Sequence, residues 1–104
     1  MALTVDFKKT VAERAQKDPE FAKALLNEAA TLFLNGESEL ARIILRDLVN
    51  ATLGFERLAS VTALPNKSLH RMLSSKGNPS MDNLAVIFGA MKKNLKLKLI
   101  VQSA

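Results

Sequence analysis

The stretch FERLASVTALPNKSLHRMLS, from Phe55 to Ser74, decides the fold that this chain is expected to adopt. It holds two short apolar segments with helical spacing, one on either side of Pro65. Proline cannot continue the first helix, because its ring clashes with the preceding turn and it has no N–H, so that helix should end by about Thr62. Each segment has one face for packing: Leu58, Ala59 and Thr62 in the first, and Leu69, Met72 and Leu73 in the second. The stretch therefore predicts two helices packed across a tight turn, a helix-turn-helix motif.

Two details of this motif follow from residue size and capping preference. Ala59 is expected where the helices cross, because a small side chain lets the two backbones approach each other. The second helix can begin at Pro65, through its preset φ, or at Asn66, whose side-chain oxygen can accept a backbone N–H. The sequence leaves both starts open.

The exposed face of the second predicted helix is polar and cationic and has no carboxylate. It carries Asn66, Lys67, Ser68, His70 and Arg71. In helix-turn-helix proteins the second helix lies in the major groove of DNA, with its N-terminal residues at the base edges. The same residues also suit the solvated face of an ordinary helical corner, so the charge of the rest of the chain has to decide between the two interpretations.

The charge of the chain is divided unevenly between its halves. Of a net charge of +5, residues 1–56 contribute −2, from seven Lys/Arg and nine Asp/Glu, whereas residues 57–104 contribute +7, from eight and one. No acidic residue lies between Arg57 and Met81. A surface that merely faces solvent usually mixes both signs, and a membrane-binding chain would need a basic amphipathic helix that this sequence lacks. The basic half therefore predicts binding to double-stranded DNA.

Residue chemistry predicts which side chains contact the base edges of DNA and which contact its phosphates. Arg71 has a planar fork that matches guanine O6 and N7, so we assign it to base edges together with Asn66 and Lys67. His70 is grouped with them, although its ring could equally contact phosphate. The expected phosphate contacts are Ser68, Ser74, Ser75 and Lys76.

Composition limits the other function classes. A chain of 104 residues with 48% hydrophobic residues suits a single domain, and the absence of cysteine excludes disulfides and thiolate metal sites. The only histidine, His70, has no carboxylate nearby to orient it, so we expect neither an enzyme nor a metal or cofactor site. The first ten residues lack an apolar signal segment, and the longest apolar run, Leu84 to Met91, is too short to span a membrane. These features predict a cytoplasmic protein.

The whole chain predicts an all-α fold of five or six helices with a short C-terminal β-strand. Asp18 and Pro19 should begin a helix that ends at Gly36, Gly54 should end the next one, and Ser80 should cap the last one. Residues 1–104 are expected to form a single domain. Its N-terminal helices occupy 1–54 and include a weak first helix in 4–17. The helix-turn-helix follows in 55–74, then the last helix in 80–94, closed by Asn94 with φ > 0, and finally a strand in 95–101.

Helical spacing also predicts which side chains are buried. In the third helix, which begins at about Glu37 or Ser38, Leu40 is expected inward, whereas Arg42 is expected outward with Arg46 and Asn50. The predicted core comprises Leu25, Leu32, Ile44, Leu58, Ala59, Leu69, Met72, Leu84, Ile87 and Phe88.

The last segment has a different period. From Leu95 onward leucine and lysine alternate, which is typical of a half-buried strand with Leu95, Leu97, Leu99 and Val101 on one face. A single strand is not stable, and no second strand candidate exists in the chain, so this segment should pair with another copy or with a partner protein. We therefore expect a homodimer, whose recognition helices would meet a pseudo-palindromic operator in major grooves about 34 Å apart.

The order of these parts resembles the addiction-module antidote proteins, the HigA-like antitoxins of the Xre/Cro-type helix-turn-helix regulators. The resemblance spans roughly residues 18–101 and is most specific in SLHRMLSSKGNPSMDNL, Ser68 to Leu84, which is similar to the family's recognition helix and the loop that follows it. The chain departs from the family pattern at Ala63, where the turn usually has glycine, and at His70, where an aromatic residue is common.

The resemblance implies an antitoxin that represses its own promoter. It also implies a RelE-type ribonuclease toxin as partner, bound away from the recognition helix. The alternatives are a stand-alone helix-turn-helix repressor and a protein-interaction module that does not bind DNA.

Overall fold

The computed structural model describes the backbone of residues 5–104 and the side chains of residues 11–104. Within this range the chain is all-helical, as predicted. Its six helices are α1 Val5–Lys17, α2 Pro19–Leu34, α3 Ser38–Ala51, α4 Phe55–Thr62, α5 Asn66–Met72 and α6 Met81–Leu95. The expected start of the first helix at residue 4 lies outside the described residues. Each helix in the described part is too short or too polar to cross a membrane.

Side-chain caps set the starts of α2 and α6. Asp18 Oδ1 accepts hydrogen bonds from the backbone N–H groups of Glu20 and Phe21, at 3.1 and 3.2 Å, and Pro19 is the first residue of α2. Ser80 Oγ accepts the N–H of Asn83 at 3.1 Å and so caps α6. These caps confirm the prediction, because each replaces a hydrogen bond that the first turn of a helix cannot make with its own backbone.

All six helices contribute to one apolar core, and α1 does so through Ala15. Five of the ten predicted core residues are buried, namely Leu32, Leu58, Leu69, Leu84 and Ile87. The other five are half-buried and pack against that core, namely Leu25, Ile44, Ala59, Met72 and Phe88. Leu26, Leu45, Leu73 and Met91 are fully buried as well. Of these, Leu73 lies on the packing face predicted for the second segment of the helix-turn-helix. The core therefore combines fully buried side chains from α2, α3 and α6 with Leu73 at the end of α5.

The orientation predicted for α3 was wrong at two positions. Leu40 is 47% exposed, whereas Arg42 is buried at 8%. The buried face includes Ala41, Leu45 and Val49, and α3 packs against α1 and α2 as well as against α4. Arg42 lies at the border between the apolar and polar faces of α3, so helical spacing alone does not define whether its side chain turns inward or outward.

The predicted C-terminal strand is not seen in residues 5–104. Leu95 is the last residue of α6, and Lys96, rather than the expected Asn94, takes the left-handed conformation that ends the helix, with φ 58°. Leu97 and Leu99 are half-buried and, like Leu95, pack against the chain's own core, whereas Val101 is 80% exposed. A strand needs a neighbouring strand for its hydrogen bonds, and the described chain offers none.

Candidate nucleic-acid interface

Helices α4 and α5 form the predicted helix-turn-helix corner, joined by Ala63, Leu64 and Pro65. Helix α4 ends at Thr62, as expected, and Ala63 adopts the left-handed conformation with φ 60° and ψ 21°. Thr62 Oγ1 donates to the Leu58 carbonyl at 2.6 Å and accepts the N–H of Leu64 at 3.3 Å. The turn therefore uses the left-handed conformation that glycine adopts most easily, and placing alanine there costs about 1 kcal/mol.

The start of α5 was left open by the sequence and is resolved by the structure. Pro65 occupies the capping position with φ −60° and ψ 138°, and Asn66 is the first helical residue. The side chain of Asn66 makes no capping hydrogen bond, and its Oδ1 atom is buried without a partner among the described residues. Proline is well suited to this place, because its φ is preset and its missing N–H is not needed there.

Helix α5 is held by one apolar face and leaves the opposite face exposed. Leu69 and Leu73 are fully buried. Lys67, His70 and Arg71 are exposed, and the other two predicted contact residues on the helix, Asn66 and Ser68, are half-buried. The structure thus brings together all of the predicted base-contact residues at the surface of one seven-residue helix.

The ring of His70 is not free on that surface. It stacks on the ring of Phe55, the first residue of α4, with 4.0 Å between ring centroids and 20° between planes. Phe55 is buried at 6%, so one face of the imidazole is covered and only the rest of the ring can meet a ligand. The sequence prediction missed this contact, since it joins two helices and no spacing within one helix signals it.

The predicted phosphate contacts after α5 lie on a short loop. Ser75 and Lys76 are exposed. Ser74 is half-buried, and its hydroxyl donates to the Arg71 carbonyl at 2.7 Å, so its proton is already used within the chain. The loop also approaches the helix closely at Gly77, where an added Cβ would overlap the carbonyl oxygens of Met72 and Arg71. Glycine is required there because of space rather than backbone conformation.

A residue of α3 that the sequence placed in solvent binds this loop. The guanidinium of Arg42 donates from Nε to the Ser74 carbonyl at 3.0 Å, from Nη2 to the Ser75 carbonyl at 3.1 Å, and from Nη1 to Ser38 Oγ at 3.1 Å. The only sequence signal for this role is an arginine between apolar neighbours on α3, which is too weak to identify a partner more than thirty residues away.

The cations around α5 have no acidic partners among the described side chains. The described part of the chain contains three ion pairs, and all of them lie before residue 57: Arg14–Asp18, Lys23–Glu20 and Arg46–Asp47. Lys67, Arg71 and Lys76 are exposed. Their charge is therefore directed to solvent, where it can attract a polyanion.

Comparison of the chain with protein-family models, curated proteins and solved structures found no significant match. The chemistry of this surface therefore has to be inferred from its own residues. In the described part of the chain, no cluster of three or more His, Asp or Glu side chains could hold a metal ion.

The residues predicted for a C-terminal strand do not belong to this surface. They begin at Leu95, the last residue of α6, and the exposed cations Lys93, Lys96 and Lys98 lie near them along the chain. Among the described residues, no backbone hydrogen bond involves residues 98–104. This tail carries two exposed apolar side chains, Ile100 at 79% and Val101 at 80%.

Proposed function

We propose that this protein is a sequence-specific regulator of transcription that binds double-stranded DNA through α5. The observation that carries the proposal is the exposed face of α5, where Lys67, His70 and Arg71 lie on a helix that packs against α4. A helix packed in this way can enter a major groove without reordering, so the binding free energy is not reduced by a folding step.

The geometry supports the division between base and phosphate contacts. Lys67 and Arg71 are four residues apart, which places them on the same side of α5. The Oδ1 atom of Asn66 is an acceptor without a partner among the described residues. If the Asn66 side chain rotated toward an adenine, the amino group of that base would donate to it. Ser75 and Lys76, on the loop, suit phosphate oxygens better than Ser74 does, because Ser74 already donates its hydroxyl proton.

The more specific role of an antitoxin rests on the sequence resemblance. Under this proposal the protein acts in the cytoplasm, represses the promoter of its own gene, and binds a RelE-type ribonuclease encoded beside it. The alternative is a stand-alone repressor. The test is co-expression with the neighbouring gene: rescue of growth supports an antitoxin, whereas failure to rescue leaves only the DNA-binding proposal.

A homodimer is the second part of the proposal. The backbone groups of residues 98–104 have no partners in the described chain, and the exposed Ile100 and Val101 would be covered if two tails paired as strands. Pairing would also place two copies of α5 in the symmetric relation that a pseudo-palindrome requires. The unpaired tail is equally suited to pairing with a different protein, so a test of oligomeric state is independent of a test of DNA binding.

DNA binding is tested by titrating a random-sequence duplex and a duplex of the protein's own promoter region with increasing salt. We expect binding to both at low salt, with a steep loss as salt rises, and tighter binding to the promoter. Absence of salt-dependent binding to either duplex would favour the protein-interaction module instead.

A further inference from the structure

We propose that Arg42 is a positioning residue for the DNA interface, holding the loop after α5 in the conformation that presents Ser75 and Lys76 to phosphate. This inference rests on the proposed function, since it assigns a role to Arg42 at the same surface. Arg42 itself is buried at 8% and is not expected to touch DNA.

The hydrogen bonds of Arg42 match the shape of its side chain. The Nε and Nη2 donors lie on one edge of the planar guanidinium, and they bind two successive carbonyls, Ser74 at 3.0 Å and Ser75 at 3.1 Å. Two neighbouring carbonyls directed at one cation restrict the backbone torsions between them. The direction in which Lys76 leaves the loop is thereby defined.

The Ser74 carbonyl is the centre of this arrangement. It accepts Arg42 Nε and also the N–H of Gly77 at 3.0 Å, so both of its lone pairs are used. Gly77 is in turn packed against the carbonyls of Met72 and Arg71. The loop is thus closed by Gly77 from one side and held by Arg42 from the other.

Arg42 also connects the loop to a helix outside the helix-turn-helix. It extends from α3, where its Nη1 binds Ser38 Oγ at the helix start. Its positive charge strengthens both hydrogen bonds to the loop carbonyls, since bonds from a charged donor are stronger than those from a neutral one. A lysine cannot replace it fully, because an ammonium group lacks the flat edge that matches two carbonyls.

The experiment compares Arg42→Met with Arg46→Met, a matched control one turn along α3, whose partner is Asp47 rather than the loop. The first measurement is amide hydrogen exchange. In Arg42→Met the Gly77 amide should exchange about tenfold faster relative to that of Leu58, which lies in α4 outside the loop. In Arg46→Met this ratio should stay at its wild-type value.

The second measurement is affinity for a duplex selected by the wild-type protein from a random pool, and for a scrambled duplex. Arg42→Met should weaken binding to both by a similar factor, about five- to tenfold, because phosphate contacts carry no sequence information. Arg42→Lys should fall between wild type and Arg42→Met in both measurements, and it carries the test if Arg42→Met does not fold.

Three results for Arg42→Met would overturn the inference. The first is equal acceleration of amide exchange at Gly77 and Leu58, which indicates general destabilisation. The others are faster exchange at Gly77 with unchanged affinity for DNA, and a loss of affinity confined to the selected duplex. If the wild-type protein binds neither duplex, the proposed function fails first. If wild type binds and Arg42→Met binds equally well, only the role of Arg42 fails.

Discussion

The imidazole of His70 stacks on the phenyl ring of Phe55, with their centroids 4.0 Å apart. This contact joins the middle of α5 to the first residue of α4, and so adds an interaction across the corner at the edge of the candidate interface. We expect the stack to contribute about 0.5–1.5 kcal/mol beyond the burial of the two side chains. A double-mutant cycle with Phe55→Leu and His70→Ala, followed by urea unfolding, measures that coupling. Strict additivity of the two changes would show that the stacked rings do not interact energetically.

The turn offers a prediction with an internal control. Ala63→Gly should stabilise the protein by about 0.5–1 kcal/mol, because Ala63 has φ 60° and glycine adopts this conformation without a steric penalty. The same substitution at Ala85, on the exposed side of α6, should destabilise it by about 1 kcal/mol. Thermal unfolding of both variants checks the sign. Destabilisation by Ala63→Gly would be inconsistent with a left-handed residue in the turn.

Ala59 tests the packing of α4 on α5. It is half-buried and contacts the core, so Ala59→Leu should overpack the crossing and lower the free energy of unfolding by about 1–3 kcal/mol. Ser60→Leu is the matched control, since Ser60 is exposed and should change stability by less than about 0.5 kcal/mol. Equal stability of the two variants in urea would argue against a close crossing at Ala59.

Arg71 and Lys76 should respond differently to substitution. Arg71→Ala should cost about 1–3 kcal/mol of binding free energy on the operator and relax preference at one position, because its fork is assigned to a guanine. Lys76→Ala should weaken binding to all sequences and flatten the salt dependence by about one unit. Titrations of both variants on operator and scrambled duplexes at several salt concentrations separate these effects. The reverse pattern would mean that α5 does not read bases.

The tail can be tested without disturbing the core. Ile100 is 79% exposed, so its own side chain makes little contact within one chain, and Ile100→Pro removes a backbone donor from an expected strand pair while it restricts Leu99 to the extended conformation that a strand needs. If the tails pair, this change should shift the protein from dimer toward monomer in sedimentation, whereas Ile100→Thr should not. A dimer unaffected by the proline would place the contact on a helical face.

The sequence by itself determined the helices and most of their limits, with the start of α5 and the end of α6 as the exceptions. Asp18 with Pro19, Gly36, Pro65 and Ser80 act on hydrogen bonds and torsions within a few residues, so their effects are local and do not depend on the rest of the fold. The segregation of positive charge into residues 57–104 is likewise a property of composition. The exposed cationic face of α5 follows from these two facts together.

Only the tertiary structure decided which face of α3 is buried, where Arg42 binds, what covers His70, and that Leu97 and Leu99 pack on the chain's own core. Arg42 and Ser74 are separated by 32 residues, and their contact depends on how α3 lies against the α4–α5 corner. That placement results from many weak packing contacts added together, none of which is visible in the spacing of residues along one helix.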